Sequence, residues 1–271
     1  MSSELSTPDG AAALVTGGTS GIGAAIARAI LVAGTPVALT GRDGERAAQA
    51  AEALQRETGT ECVGLALDVT EEASCAALPG ALEGFRPIEW LVNNAGVAET
   101  MSSTAAGSLG LARRLMEINY FGPLRLFEAF APGMLERGRG RVVQVASSAS
   151  LRGYPYVSAY VGSKHALMGW TRCAALECAP KGVGVSAVCP HYVDTPMTRR
   201  SIETMKEKTG RTEEDLRAFL ASQNPGGALI TVEEVADAVL SLLRSERSGV
   251  IHELTGGDQV VIEEGVSIEA R

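Results

Sequence analysis

The 271 residues predict a doubly wound α/β fold, a single parallel sheet with helices on both faces. Two observations carry this. Short runs rich in valine and leucine recur along the chain, too short for helices and continuously apolar, as strands covered on both faces should be. Longer stretches with apolar residues at three- and four-residue steps separate them. Strict alternation of the two implies parallel strands joined by right-handed crossovers. No Pro-, Gly- or Ser-rich linker, repeat or low-complexity tract interrupts the pattern, so residues 1–271 read as one domain, with an irregular lid-like segment at 195–230.

The first strand is expected at "AAALVT" (11–16), followed by the turn "TGGTSGIG" and a helix from Ala24 to Val32. Glycines between a strand and a helix at the start of a βαβ unit fit a dinucleotide pyrophosphate. Gly17 permits the tight turn, Gly21 lets backbone approach the anion, Gly23 lets the helix pack close, and the helix N–H groups face the phosphates. Thr19, Ser20 and Ile22 complete that turn. The second strand, "PVALT" (36–40), runs into Gly41 and Arg42, where a ribose-binding residue belongs. An acid there accepts from the 2′-hydroxyl of NAD, whereas arginine pairs with the 2′-phosphate of NADP. Arg42 therefore favours NADP, with NAD as the alternative should Asp43 turn to the ribose.

A helix over Gly44 to Glu57, a strand at "CVGLAL" (62–67) ending on Asp68 and Val69, and a helix over Glu71 to Glu83 follow. The strand "EWLVN" (89–93) leads into "NNAG", and a long helix over Leu109 to Arg137 carries "EINYFG" with Asn119. The strand "RVVQVAS" (141–147) ends on Ser147, at the carboxyl edge where open α/β sheets bind ligands. In the helix over Ala159 to Ala179, Tyr160 and Lys164 stand at i and i+4 on one face, and "GVSAVC" (184–189) is the sixth strand. Serine, tyrosine and lysine so arranged suit proton transfer at a carbonyl or alcohol oxygen. A lysine ammonium and a cationic nicotinamide near the phenol favour the phenolate, bringing its pKa toward the working range, while Ser147 holds the substrate oxygen.

Composition excludes other classes. A net charge of -8 argues against nucleic-acid or anionic-membrane partners. Five cysteines without a CxxC pair and three histidines outside metal-ligand spacing indicate neither a zinc site nor a disulfide framework. The opening "MSSELSTPDG" has no targeting pattern and no apolar run is long enough to span a bilayer, which predicts a cytoplasmic protein.

TGxxxGIG, NNAG, Asn119, Ser147 and Tyr160-x-x-x-Lys164, in this order over roughly residues 10–260, resemble the short-chain dehydrogenase/reductase family. The resemblance implies a Rossmann-like sheet, a nicotinamide cofactor, Tyr160 as acid/base, Lys164 also binding the nicotinamide ribose, and Asn119 holding a water in a proton relay. It implies further that Asp68 and Val69 meet the adenine, that Asn94, Ala95 and Gly96 line the cofactor, and that Val193 and Thr195 contact the carboxamide. Homotetramers or dimers built on the two long helices are expected, the second helix contributing Leu167 and Trp170. One departure stands out: "CPHYVDTPM" has His191 where the family has glycine. The backbone is expected to keep its course there, with the imidazole either narrowing the pocket from one side or turned out of the site.

Around "LVNNAG" and "SAYVGSKHALMGWTR" the chain is similar to the 3-oxoacyl and polyketide ketoreductase branch. The lid is basic in its first half, with Arg199, Arg200, Lys206, Lys208 and Arg211 against Glu203 and Glu207. Such a charge run ordinarily means a solvated helical lid, and alternatively suits the phosphates of a thioester carrier. The expected function is NADPH-dependent reduction of a ketone. The alternatives are an NAD-linked secondary-alcohol dehydrogenase and, from another class, a dinucleotide-binding sensor or scaffold, against which the intact acid/base set speaks.

Overall fold

The computed structural model describes residues 10–269; the opening residues read for a targeting signal and the Lys208 side chain lie outside that description. Strands β1 (Ala12–Val15), β2 (Val37–Gly41), β3 (Cys62–Ala66), β4 (Ile88–Asn93), β5 (Gly140–Val145), β6 (Val183–Pro190), β7 (Arg247–Leu254) and β8 (Gln259–Ser267) form one sheet. Its order is β3-β2-β1-β4-β5-β6-β7-β8. All neighbours run parallel except β8, which returns antiparallel along β7. The winding reverses between β1 and β4, so the loops leaving those two strands diverge and open a crevice at the carboxyl edge.

The helices are α1 (Gly21–Val32), α2 (Gly44–Thr58), α3 (Glu72–Ala81), α4 (Ser108–Met116), α5 (Gly122–Arg137), α6 (Ser158–Cys178), α7 (Pro196–Thr209), α8 (Glu213–Ser222) and α9 (Val232–Leu243). Alternate strand residues feed two cores. Ala13, Val15, Val92 and Val143 pack on Ile26 and Ile30 of α1 and Val235 and Val239 of α9. Ala12, Leu14, Leu91 and Val142 pack on Leu126 and Met134 of α5 and Ala174 and Cys178 of α6. Burial on both faces explains why the strands are continuously apolar.

Four expectations change. The helix predicted over 109–137 is broken by a π-helical turn at Glu117–Phe121. The segment 195–230 is largely helical, its α7 and α8 closing a small core of Ile202, Leu216 and Leu220. Helix α9, β7 and β8 extend the architecture beyond the six strands and five helices expected. Leu167, expected at a subunit contact, is buried in the interior, and Trp170 is half-buried edge-on against Phe127, with ring centroids 4.9 Å apart. The apolar side chain that α6 does expose is Leu176. Among the described residues no helix is long and apolar enough to cross a membrane.

Candidate active site

At the end of β1, Thr16 Oγ1 accepts the N–H groups of Asn94 and Ala95, each at 3.0 Å. Asn94 Nδ2 donates back to the carbonyls of Thr16 (2.9 Å) and Gly17 (3.2 Å). The Asn94 amide is thus spent on lashing β4 to the glycine turn, a clamp in which Thr16 is an equal member that motif reading passed over. Gly17 and Gly21 both have positive φ, 63° and 54°, which disfavours side chains there. At Gly23 a Cβ would lie 2.2 Å from the Gly17 carbonyl oxygen, so the close helix packing is real. Helix α1 begins at Gly21, three residues ahead of the expected Ala24.

The turn fits an anion. Ser20 at the start of α1 makes no side-chain cap bond, as is also true of α3, α4, α5 and α6, but α1 alone of these follows the glycine turn after β1, and no acid stands in its first turn. The N–H groups of that first turn are left for a ligand. Ile22 packs on the core beneath. Thr19 lies against Gly41, where a Cβ would meet Thr19 Cγ2 at 2.7 Å; an acid at 41 has no room unless Thr19 moves.

Arg42 is exposed beyond β2, while Asp43 accepts from Arg46 N at 3.1 Å as the cap of α2. Asp43 thus has a structural task of its own, capping α2 through one carboxylate oxygen. Asp68 Oδ1 accepts from the Thr70 hydroxyl (2.7 Å) and N–H (2.9 Å). These bonds hold its carboxyl below the ordinary value against the opposing effect of burial, with the Arg42 charge adding to them. Val69 is buried; its side chain lies against Gly122, where a Cβ would come within 2.9 Å of Val69 Cβ. Its carbonyl takes Arg125 Nη1 at 3.2 Å.

Ser147, Tyr160, Lys164 and Asn119 meet beyond the ends of β4 and β5. Ser147 Oγ accepts from Ala149 N at 3.1 Å and is hydrogen-bonded to the Tyr160 phenol. Lys164 is 5 % exposed, its Nζ donating to the Val145 carbonyl at 2.9 Å and lying 5.8 Å from the Tyr160 ring centroid. Burial brings its pKa down to about 8. The phenol departs from expectation: burial raises its pKa, outweighing the Ser147 hydrogen bond, so the protein's own groups favour phenol over phenolate. Asn119 is buried within the π turn, Oδ1 accepting from Val97 N (2.9 Å) and Nδ2 donating to Val97 O (2.9 Å) and Ser163 Oγ (3.0 Å). Its side chain is occupied. Pro123, four residues on, has no N–H for the Asn119 carbonyl, so the ordinary helical bond there cannot form. Above Gly96, a Cβ would sit 3.1 Å from Asn119 Oδ1 and 3.8 Å from Lys164 Nζ.

After β6, Val193 and Thr195 are buried, and Thr195 and Pro196 lie over the glycine turn, the Pro196 Cδ 3.5 Å from where a Gly21 Cβ would be. His191 has no positive φ, so the backbone keeps an ordinary course. The imidazole is not the expected wall. Its side chain is 3 % exposed and turned to Glu253 of β7, Nε2 to Oε1 at 2.7 Å, because a buried carboxylate there requires a partner. The lid cations are partly spent locally: Arg199 and Arg217 pair with Asp194 at 3.4 and 2.6 Å, and Arg211 lies over the Phe219 ring.

The family model described as short chain dehydrogenase matches residues 11–206. A Streptomyces coelicolor protein named for ketoacyl reduction is 36 % identical over 242 residues, covering 88 % of this chain and 92 % of its own. A D-beta-hydroxybutyrate dehydrogenase of Rhizobium meliloti is 34 % identical over 234 residues, covering 85 % and 90 %. Among solved structures, a variant of actinorhodin polyketide ketoreductase with NADPH superposes with a TM-score of 0.85 at 33 % identity, covering 93 % of this chain and 98 % of its own.

The packing at Gly23 is open to direct test. Gly23→Ala forces a methyl against the Gly17 carbonyl and the Asn94 amide, which the clamp cannot yield without moving α1. A stability loss of about 1–3 kcal/mol is expected from overpacking, read as a lower urea midpoint. An unchanged midpoint would show that the turn has slack.

Proposed function

The chain belongs to the short chain dehydrogenase family, and from that premise we propose that it reduces a ketone to a secondary alcohol with NADPH, Tyr160 giving the proton. The observation that carries this reading is the meeting of the Tyr160 phenol with Ser147 and with the Lys164 ammonium, whose Nζ lies 5.8 Å from the ring centroid. Burial keeps the phenol toward its protonated form, as a proton donor requires. Bound along the crevice, a reduced nicotinamide supplies the hydride. The free N–H groups of α1 hold the pyrophosphate, Arg42 the 2′-phosphate, and Asp68 and Val69 flank the adenine. Ala95, Gly96, Val193 and Thr195 line the nicotinamide end, with Asn94 bracing the turn.

As hydride reaches the carbonyl carbon, the Tyr160 O–H passes its proton to the carbonyl oxygen, and Ser147 Oγ holds that oxygen in line. The Lys164 ammonium stabilises the phenolate that results. A water on the Asn119 carbonyl, which the π turn and Pro123 keep from its usual partner, returns the proton through Lys164. A 3-oxoacyl thioester or polyketide-like ketone is the substrate class favoured by the ketoacyl-reductase names among the relatives and by Arg200 and Lys206, exposed on the lid. The second reading, NAD-linked oxidation of a secondary alcohol, is favoured by the hydroxybutyrate dehydrogenase relative.

NADPH and NADH oxidation with a panel of 3-oxoacyl thioesters, diketones and cyclic ketones tests the proposal; absence of turnover with all of them rejects it. Tyr160→Phe should lower turnover by about 10²- to 10⁴-fold while leaving NADPH binding intact, and wild-type rates in that variant would remove Tyr160 from the reaction. Arg42→Ala should weaken NADPH by about ten- to a hundredfold, roughly 1.5–3 kcal/mol, with NADH nearly unchanged. Equal weakening of both cofactors in titrations would reject the phosphate contact. The pH profile follows from Lys164: its positive charge is present below about 8 and lost above it, so kcat/KM for reduction should fall as pH rises through that value. A profile flat to pH 10 would mean that the ammonium charge plays no part.

A further inference from the structure

Glu253 lies on β7 beside Cys189 of β6, and its carboxylate is almost wholly buried. One oxygen, Oε1, serves two partners. Arg152 Nη2 donates to it from the turn between Ser147 and Tyr160, and His191 Nε2 lies 2.7 Å away on the segment that runs on to Val193 and Thr195. The Arg152 side chain is 46 % exposed, so the network runs from the surface to the interior behind the catalytic groups.

Each arm is also held by bonds of its own. The Arg152 arm is otherwise held by Tyr154 OH donating to Ser148 Oγ at 3.0 Å and by Met101 N donating to the Tyr156 carbonyl at 2.7 Å. Tyr156 has φ 63°, the single positive value outside glycine among the described residues. A tyrosine persists there only where its surroundings over-determine it. The His191 arm is tied by its own N–H to the Leu254 carbonyl at 3.1 Å and by Tyr192 N to Asn224 Oδ1 at 2.9 Å.

We propose that Glu253 is a positioning residue that ties the substrate-side arm, through Arg152, and the cofactor-side arm, through His191, to one carboxylate oxygen. Ser147 and Tyr160 flank the first arm, and Val193 and Thr195 end the second. The spacing between the proton donor and the nicotinamide end is then set from β7. His191 acts through Glu253 and touches no reacting atom. The kinetic consequence rests on the ketone-reductase reading; the structural one does not.

The test uses the full-length protein and reads each arm separately. Amide hydrogen exchange without ligand should speed up at 151–157 in Arg152→Leu, at 191–195 in His191→Leu, and at both in Glu253→Gln. Arg152→Leu should raise the KM for an accepted ketone by about tenfold, the effect of losing one buried charged hydrogen bond, with the NADPH Kd from fluorescence titration unchanged. His191→Leu should weaken NADPH by a similar factor, and Arg152→Lys should restore most of the ketone KM. In the Glu253→Gln background neither leucine substitution should add a further loss. Should Glu253→Gln fail to fold, the two single variants and the lysine rescue carry the test.

The proposal is overturned if either single variant loosens both arms alike, if KM and Kd move together with thermal stability, or if exchange changes while both constants stay put. Wild-type protein that binds NADPH yet reduces no ketone sinks the function reading. The exchange pattern and the His191 effect on NADPH would then still decide the positioning role.

Discussion

An ammonium buried to the extent of Lys164 must find its oxygen partners inside the protein, and the active-site geometry is arranged around that demand. The Val145 carbonyl, at the end of β5, accepts one of its protons, which fixes Nζ beside Tyr160 and brings α6 onto the carboxyl edge of the sheet. Gly96 leaves open the space between Nζ and Asn119, and a side chain there would press on the Asn119 amide. That amide binds both polar groups of Val97, so the loop after β4 is pinned to the π turn. A cation held this way loses solvation, which is why its pKa falls to about 8 while the neighbouring phenol rises. The two shifts move apart, so in the free protein the phenol keeps its proton while Lys164 is the more acidic of the pair.

Much of this was legible in the residues. Six strands and the turn after the first were readable because double burial makes strands apolar and because glycine spacing answers to backbone approach. The π turn was hidden, since the apolar period of 109–137 continues through it; the local signal was Pro123, which denies Asn119 its helical partner. Strand β7 was hidden for a different reason. It carries Ser248, His252 and Glu253 at buried or half-buried positions, and Ser248 and Glu253 answer to bonds that only the folded sheet supplies. Strand β8 is exposed on both faces and has no burial pattern to read. Helix α9 was within reach, for Thr231 and Glu234 form a capping box ahead of a regular apolar stripe.

The lid shows how charge counting misleads. Its first half reads as basic along the chain, yet Asp194, in the segment between Val193 and Thr195, takes Arg199 and Arg217. Arg211 lies over Phe219 and donates to the Asp215 carbonyl. The Asp194 pairs tie α7 and α8 to the segment expected at the nicotinamide end, while Arg211 is spent within the lid. They fix where α7 and α8 sit, and the cations left exposed are those with something to offer a ligand.

His191 teaches the converse. Glycine is the expected residue at that position, and a departure there draws attention to the pocket, where an imidazole would be a wall or a base. The ring faces β7 because Glu253, a buried carboxylate behind Ser147 and Tyr160, presents Oε1 to it beside Arg152, and a carboxylate so buried is costly unless hydrogen-bonded. The two departures explain each other: an acid on β7 calls for a donor at 191, and a histidine at 191 is tolerated because its φ is ordinary and its ring has somewhere polar to go. Residues that break a family pattern are therefore best interpreted in pairs, with the partner sought across the sheet before it is sought in the pocket.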